Sequence, residues 1–138
     1  MSDPSFSTLQ TRETDASTRA ETKNEAHHFA VETARLAADL NCRDVLILDV
    51  SDDSPLTRFL VIATGTSDRQ MRSVAEDIAD LGKPLGFRRY GGEADAAATW
   101  IVADFVDVVV HLFEPNTRGF YDLEMLWGDA PHVSWHRG

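Results

Sequence analysis

Residues 59–78, FLVIATGTSDRQMRSVAEDI, change their periodicity halfway along. Phe59 to Ala63 is an unbroken apolar run, the pattern of a strand covered on both faces. Beyond Gly65-Thr66-Ser67 the apolar residues Met71, Val74, Ala75 and Ile78 recur at helical spacing. Ser67 and Gln70 have the spacing of a capping box, in which Ser67 accepts from the Gln70 amide and the Gln70 side chain reaches back to the Ser67 amide. The other use of such a junction is a phosphate cradle, which needs several glycines and usually a lysine. Here one glycine precedes the helix, the next lysine is Lys83, and Asp68 in the first turn repels an anion. The junction therefore reads as a capped helix start, and the fold as α/β.

Outward from this point the chain alternates in the same manner. Upstream, Ala26, Phe29, Ala30, Thr33, Leu36, Ala37 and Leu40 form a helical stripe that Asn41 can close. DVLILDV (44–50) reads as a buried strand, SDDSP as a turn, and RFLVIAT (58–64) as a second strand. Downstream, Gly82 and Pro84 end the second helix. FRRYG (87–91) predicts a short third strand near an edge, and GGEADAAA (91–98) a loop. TWIVADF (99–105) and DVVVHLFE (107–114) are joined too tightly to be anything but a hairpin, and Pro115 stops their pairing. TRGFYDLEMLW (117–127) offers one or two short helical turns, and the tail from Gly128 reads as irregular. The sum is a mixed sheet of about five strands with flanking helices. Residues 1–23, rich in Ser, Thr and mixed charge, predict a disordered tail before a domain at 24–138.

A chain of 138 residues with net charge −10 and one cysteine, Cys42, is expected to be a single cytoplasmic domain with no disulfide framework and no cysteine-based zinc site. No apolar run reaches the roughly 18–20 residues of a membrane span. A nucleic-acid binder needs cations to displace counterions, so sequence-specific nucleic-acid binding is not expected. From Tyr90 onward eight acidic residues stand against Arg118 and Arg137, and the same third holds Trp100, Trp127 and Trp135. Acid beside large aromatics suits a basic protein partner. The plainer reading is a solvated acidic surface over a core that uses tryptophan.

No catalytic set assembles from the residues. Asp49, Asp52 and Asp53 end one strand and Asp104 and Asp107 flank the hairpin turn, but neither group places two carboxylates on one strand face. His27 and His28 are adjacent on a helix and diverge. His111 reads as a hydrogen-bonded core histidine, and Cys42 has no base beside it. What remains is a C-terminal cluster of anchors, Trp100, Tyr121 and Trp127, with Asp104, Asp107, Asp122 and Glu124 nearby. The short helix carrying Tyr121 and Trp127 can pack on one side and bind on the other.

LDVSDDSPLTRFLVIATGTSDRQMRSVAEDI and WIVADFVDVVVHLFEPNTRGFYDLEMLWGDA resemble the ribosomal silencing factor family, also called Iojap-related, over residues 26 to 130. The pieces ATGTSDRQ, VVVHLFEP and R-x-x-Y-D-L-E-x-L-W are specific in combination. The resemblance implies a core like that of the nucleotidyltransferases without their metal-binding acids, no enzymatic activity and no cofactor. It implies repression of translation by binding the large ribosomal subunit through its ribosomal protein fourteen, which blocks joining of the small subunit, and a homodimer when free. Matched by position, Trp100, Asp104, Tyr121, Glu124 and Trp127 are the implied partner contacts, with Ser67, Gln70, His111 and Arg118 in support. The alternatives are a nucleotide-handling enzyme using Gly65 to Ser67, and an adaptor for another basic protein. Two departures stand out. Ala94 replaces a glycine before the tryptophan loop, and Val106 replaces the glycine of an Asp-aromatic-Gly-Asp turn. A valine resists positive φ, so that turn either does without it or is strained.

Overall fold

A computed structural model describes residues 23–94, 99–117 and 127–136. Helix α1 (23–39) is followed by β1 (Arg43–Asp49), β2 (Phe59–Thr64), α2 (Asp68–Gly82), a 3₁₀ turn at Lys83–Leu85, β3 (Gly91–Ala94), β4 (Trp100–Asp104) and β5 (Val108–Phe113). The sheet order is β1-β2-β5-β4-β3. Only β2 and β5 run parallel, and the other three pairs are antiparallel. The expected mixed five-stranded α/β sheet is the observed one. The unbroken apolar run of β2 follows from its place: every residue of it is buried.

The chain crosses from β2 through α2 to the far edge of the sheet, lays down β3 there, and returns through β4 to pair β5 with β2. The edge strand is displaced from its expected place. Residues 87–90 of FRRYG lie outside the ladder, and the glycines at the start of the segment read as loop form β3, pairing Gly91 with Asp104 and Ala94 with Ile101. Glycine in an edge strand marks close backbone approach. A Cβ on Gly92 (φ 152°) would sit 2.1 Å from the Val102 carbonyl oxygen.

One face of the sheet carries α1 and α2. Ala26, Phe29, Ala30, Ala34 and Ala37 of α1 and Met71, Val74, Ala75 and Ile78 of α2 cluster with Val45, Ile47, Phe59, Val61, Ala63, Ile101, Ala103, Val110 and Leu112. These are alternate strand positions, as a pleat requires. Phe29 stacks on Phe87 at 4.7 Å and meets Phe105 edge-on at 5.0 Å.

The tail is irregular, as expected, but its described part is fastened to the domain. Asp49 and Val133 donate backbone bonds to Pro131 and Ile47, so the chain after Ala130 covers the outer edge of β1. Trp135 donates its indole N–H to the Val45 carbonyl at 3.0 Å, and its own carbonyl accepts from Arg35 Nε at 2.8 Å. Trp135 therefore ties the last described residues to β1 and α1, which protects an otherwise open edge.

The β4–β5 turn takes the strained alternative. Val106 has φ 72°, and its amide donates to Asp104 Oδ1 at 2.7 Å. A β-branched residue held there costs about 1–2 kcal/mol. Val106→Asn, which tolerates positive φ, is expected to raise stability by about 1 kcal/mol. An unchanged urea midpoint would show that the turn is not strained.

Candidate functional site

The junction at Gly65 is a packing solution. Ser67 Oγ accepts from the Gln70 amide at 3.1 Å, and Gln70 Oε1 reaches the Thr66 amide at 3.0 Å, one residue earlier than the capping-box expectation. Gln70 Nε2 donates to the Leu40 carbonyl at 2.8 Å, which fastens the start of α2 to the end of α1. A Cβ on Gly65 would lie 2.2 Å from Met71 Cγ and 2.8 Å from Gln70 Oε1, so the glycine makes room for the helix's own side chains. A cleft of about 280 Å³ lined by Ser51, Ser54, Pro55, Leu56, Thr57, Arg58 and Asp107 lies at the other end of β2.

The carboxylates at strand ends hold turns. Asp49 Oδ1 accepts from the amide and hydroxyl of Ser51. Asp107 pairs with Arg58 Nε at 3.4 Å, and Asp104 caps the Val106 amide. Among the described residues no group of three or more His, Cys, Asp or Glu is placed to hold a metal. Burial pushes the Cys42 thiol up, away from the reactive thiolate, with a partial offset from Gln70.

The sheet face turned away from the helices carries the aromatic cluster. Leu48, Val50, Leu60, Ile62, Phe113 and Ala130 form a second core, and Trp100, Val109 and Trp127 pack half-buried against it. Trp100 stacks on Phe113 at 5.5 Å and donates its indole N–H to His111 Nδ1 at 3.1 Å. That bond requires an unprotonated Nδ1. Burial acts in the same direction and lowers the His111 pKa to about 4. The ring is therefore neutral at pH 7 and fixes the tilt of the Trp100 indole.

His111 gives the fold a specific pH response. Its pKa falls from 6.5 to about 4 on folding, so between those values the unfolded chain binds the extra proton. The neutral ring's contribution is complete above pH 6.5 and is lost as pH falls toward 4. At pH 5 the loss is expected to be about 1–2 kcal/mol, with solvent screening of the half-buried ring included. Urea unfolding of wild type and His111→Gln at pH 7.5 and pH 5 checks this. Equal pH dependence in the two proteins would remove His111 as the cause.

Of the expected contact residues, Trp100 and Trp127 meet at one cluster. Asp104 shares a face with Trp100 but stands four residues along β4, about 13 Å away. It belongs to the hairpin end of the sheet, apart from the tryptophans. Trp135 is elsewhere, locked on the β1 edge. Tyr121, Glu124 and Arg118, with Asp122, lie outside the described residues. Sequence reasoning missed the bond from Trp100 to His111. The available clue was the hairpin register, which sets Val102 opposite His111 and Trp100 opposite Phe113, so that Trp100 and His111 are diagonal neighbours.

The fold and this face define a small mixed α/β domain that carries half-buried Trp100 and Trp127 on the side of its sheet opposite the helices. The family model described as ribosomal silencing factor during starvation matches residues 22–137. A ribosomal silencing factor of Bacillus subtilis is 38% identical over 93 residues, covering 67% of this chain and 79% of that protein. A mouse protein named for mitochondrial assembly of the ribosomal large subunit is 33% identical over 93 residues, covering 63% of this chain and 40% of its own length. A crystal structure of a Chromobacterium violaceum protein superposes with a TM-score of 0.67 at 32% identity, covering 83% of this chain and 92% of that one. The chain belongs to the ribosomal silencing factor family.

Proposed function

We propose that this protein represses translation by binding the large ribosomal subunit, through its ribosomal protein fourteen, so that the small subunit cannot join. It acts by occupying a surface, with no bond-making chemistry and no cofactor, in the cytoplasm, and it pairs with a second copy when free. The observation that carries this reading is the Trp100–Trp127 face of a chain with net charge −10. Large aromatic anchors supply binding energy, and the chain's overall excess of acid favours a basic partner. Ribosomal proteins are commonly basic. Membership of the silencing family and the mouse relative's name, which refers to the large subunit, support the same target.

A sucrose gradient of lysate, probed for this chain with the ribosomal subunits separated, tests the reading. The chain is expected in the large-subunit fraction. Recovery only at the top of the gradient contradicts it. Nucleotide with magnesium is expected to leave the melting temperature unchanged, whereas a bound ligand at about a hundred times its Kd would add roughly 2.7 kcal/mol.

A further inference from the structure

We propose that Arg88, Arg89 and Tyr90 form a second contact surface, at the hairpin end of the sheet, for the phosphate backbone of RNA. The inference rests on the docking reading above and extends it to a second component of the same particle. Residues 83–90, KPLGFRRY, contain Lys83, Arg88 and Arg89 and no acid, in a chain whose net charge is −10. Four of the other described cations are answered locally: Lys23 by Asp49 at 4.0 Å, Arg35 by Glu32 at 3.1 Å, Arg58 by Asp107 at 3.4 Å and Lys83 by Asp80 at 3.4 Å, while Arg43, Arg69 and Arg72 stand exposed and separate along the chain. Arg88 and Arg89 are both exposed, and neither forms an ion pair with a carboxylate whose side chain is described.

The group is arranged by the fold. Tyr90 is 69% exposed, and its amide is anchored to the Asp104 carbonyl at 2.8 Å. The Arg88 guanidinium lies over the Tyr90 ring, 5.8 Å from its centroid. Arg89 donates through Nε to the Gly91 carbonyl at 3.3 Å and through Nη2 to the Val102 carbonyl at 3.4 Å. A Cβ on Gly92 would stand 2.8 Å from that Nη2, so the glycine leaves the guanidinium its place across the edge strand. The two bonds are long and use two of five donors, leaving the rest for a ligand. The neighbouring hairpin tip exposes Val106.

Electrostatics selects the partner. A strongly acidic protein approaching a particle made largely of RNA is repelled unless its cations face the phosphates. Two guanidiniums neutralise two phosphates, and an exposed tyrosine beside them offers a face on which a base can stack. An acidic peptide could pair with the arginines but would leave that ring without a function. No base-edge reading is involved, so the contact carries no sequence specificity.

The test uses full-length wild type and the double variant R88E/R89E, both checked for an unchanged melting temperature. Binding to purified large subunits is measured across a salt series. The variant is expected to bind about tenfold or more weakly at physiological salt, with a slope of log affinity against log salt smaller by about two. A photo-reactive phenylalanine at position 90 is expected to cross-link to RNA. Wild-type binding with an unaltered affinity and slope in the variant, or cross-links to protein alone, overturns this surface and leaves the docking reading standing. Failure of wild type to bind the subunit at all overturns both.

Discussion

Trp127→Ala is expected to yield a folded protein that no longer cosediments with the large ribosomal subunit. Trp127 packs half-buried against Leu48, Val50, Leu60, Ile62, Phe113 and Ala130. Truncation removes only the buried part of the ring, at about 2–3 kcal/mol of stability, less than the 3–5 typical of a fully buried aromatic. Most domains tolerate that loss from a total of about 5–15 kcal/mol. The same ring as a binding anchor is worth at least about 2 kcal/mol, or roughly thirtyfold in affinity. Urea unfolding and cosedimentation on one preparation separate the two effects. Glu124→Lys extends the test to charge, because a like-charge contact with a basic partner costs several kcal/mol. If both variants stay folded and bind as wild type does, the docking surface lies elsewhere.

The largest effect on stability is expected at Phe29. Its side chain is fully buried, stacked on Phe87 and edge-on to Phe105, and the site Gly82 would need for a Cβ lies 3.2 Å from the Phe29 ring. The ring thus joins α1, the end of α2 and the end of β4. Phe29→Ala loses the transfer energy of the ring and two aromatic contacts, and leaves a cavity that three elements cannot easily close. The expected cost is about 3–5 kcal/mol. A loss below about 1 kcal/mol, measured by denaturant unfolding at unchanged m-value, would contradict this packing.

What could be read in the sequence was set by local patterns. The β2–α2 junction announced itself because its apolar period changes at a capped serine, and the hairpin because two strands are separated by too few residues to do otherwise. β3 was misplaced because its stability is non-local: Gly91 and Gly92 have poor strand propensity, and they pair because β4 lies beside them and tolerates close approach. The irregular tail was legible, but the anchoring of Trp135 was not, since its partners Val45 and Arg35 lie 90 and 100 residues away. At the candidate site the aromatic character was visible, but its division was not. Composition grouped three tryptophans with nearby acids, while strand geometry sends Trp135 to the β1 edge and Asp104 to the hairpin end. The Gln70 side chain bonds to Thr66 in place of Ser67 because it also spans to Leu40, a tertiary demand that no local motif encodes.

The most direct measurement of whether this protein works by occupancy is subunit joining. Purified large and small subunits are mixed with increasing protein, and particle formation is followed by light scattering. The expected result is a joining amplitude that falls with saturation of the large subunit and does not require nucleotide. Undiminished joining with the large subunit saturated by this protein would contradict the proposed function.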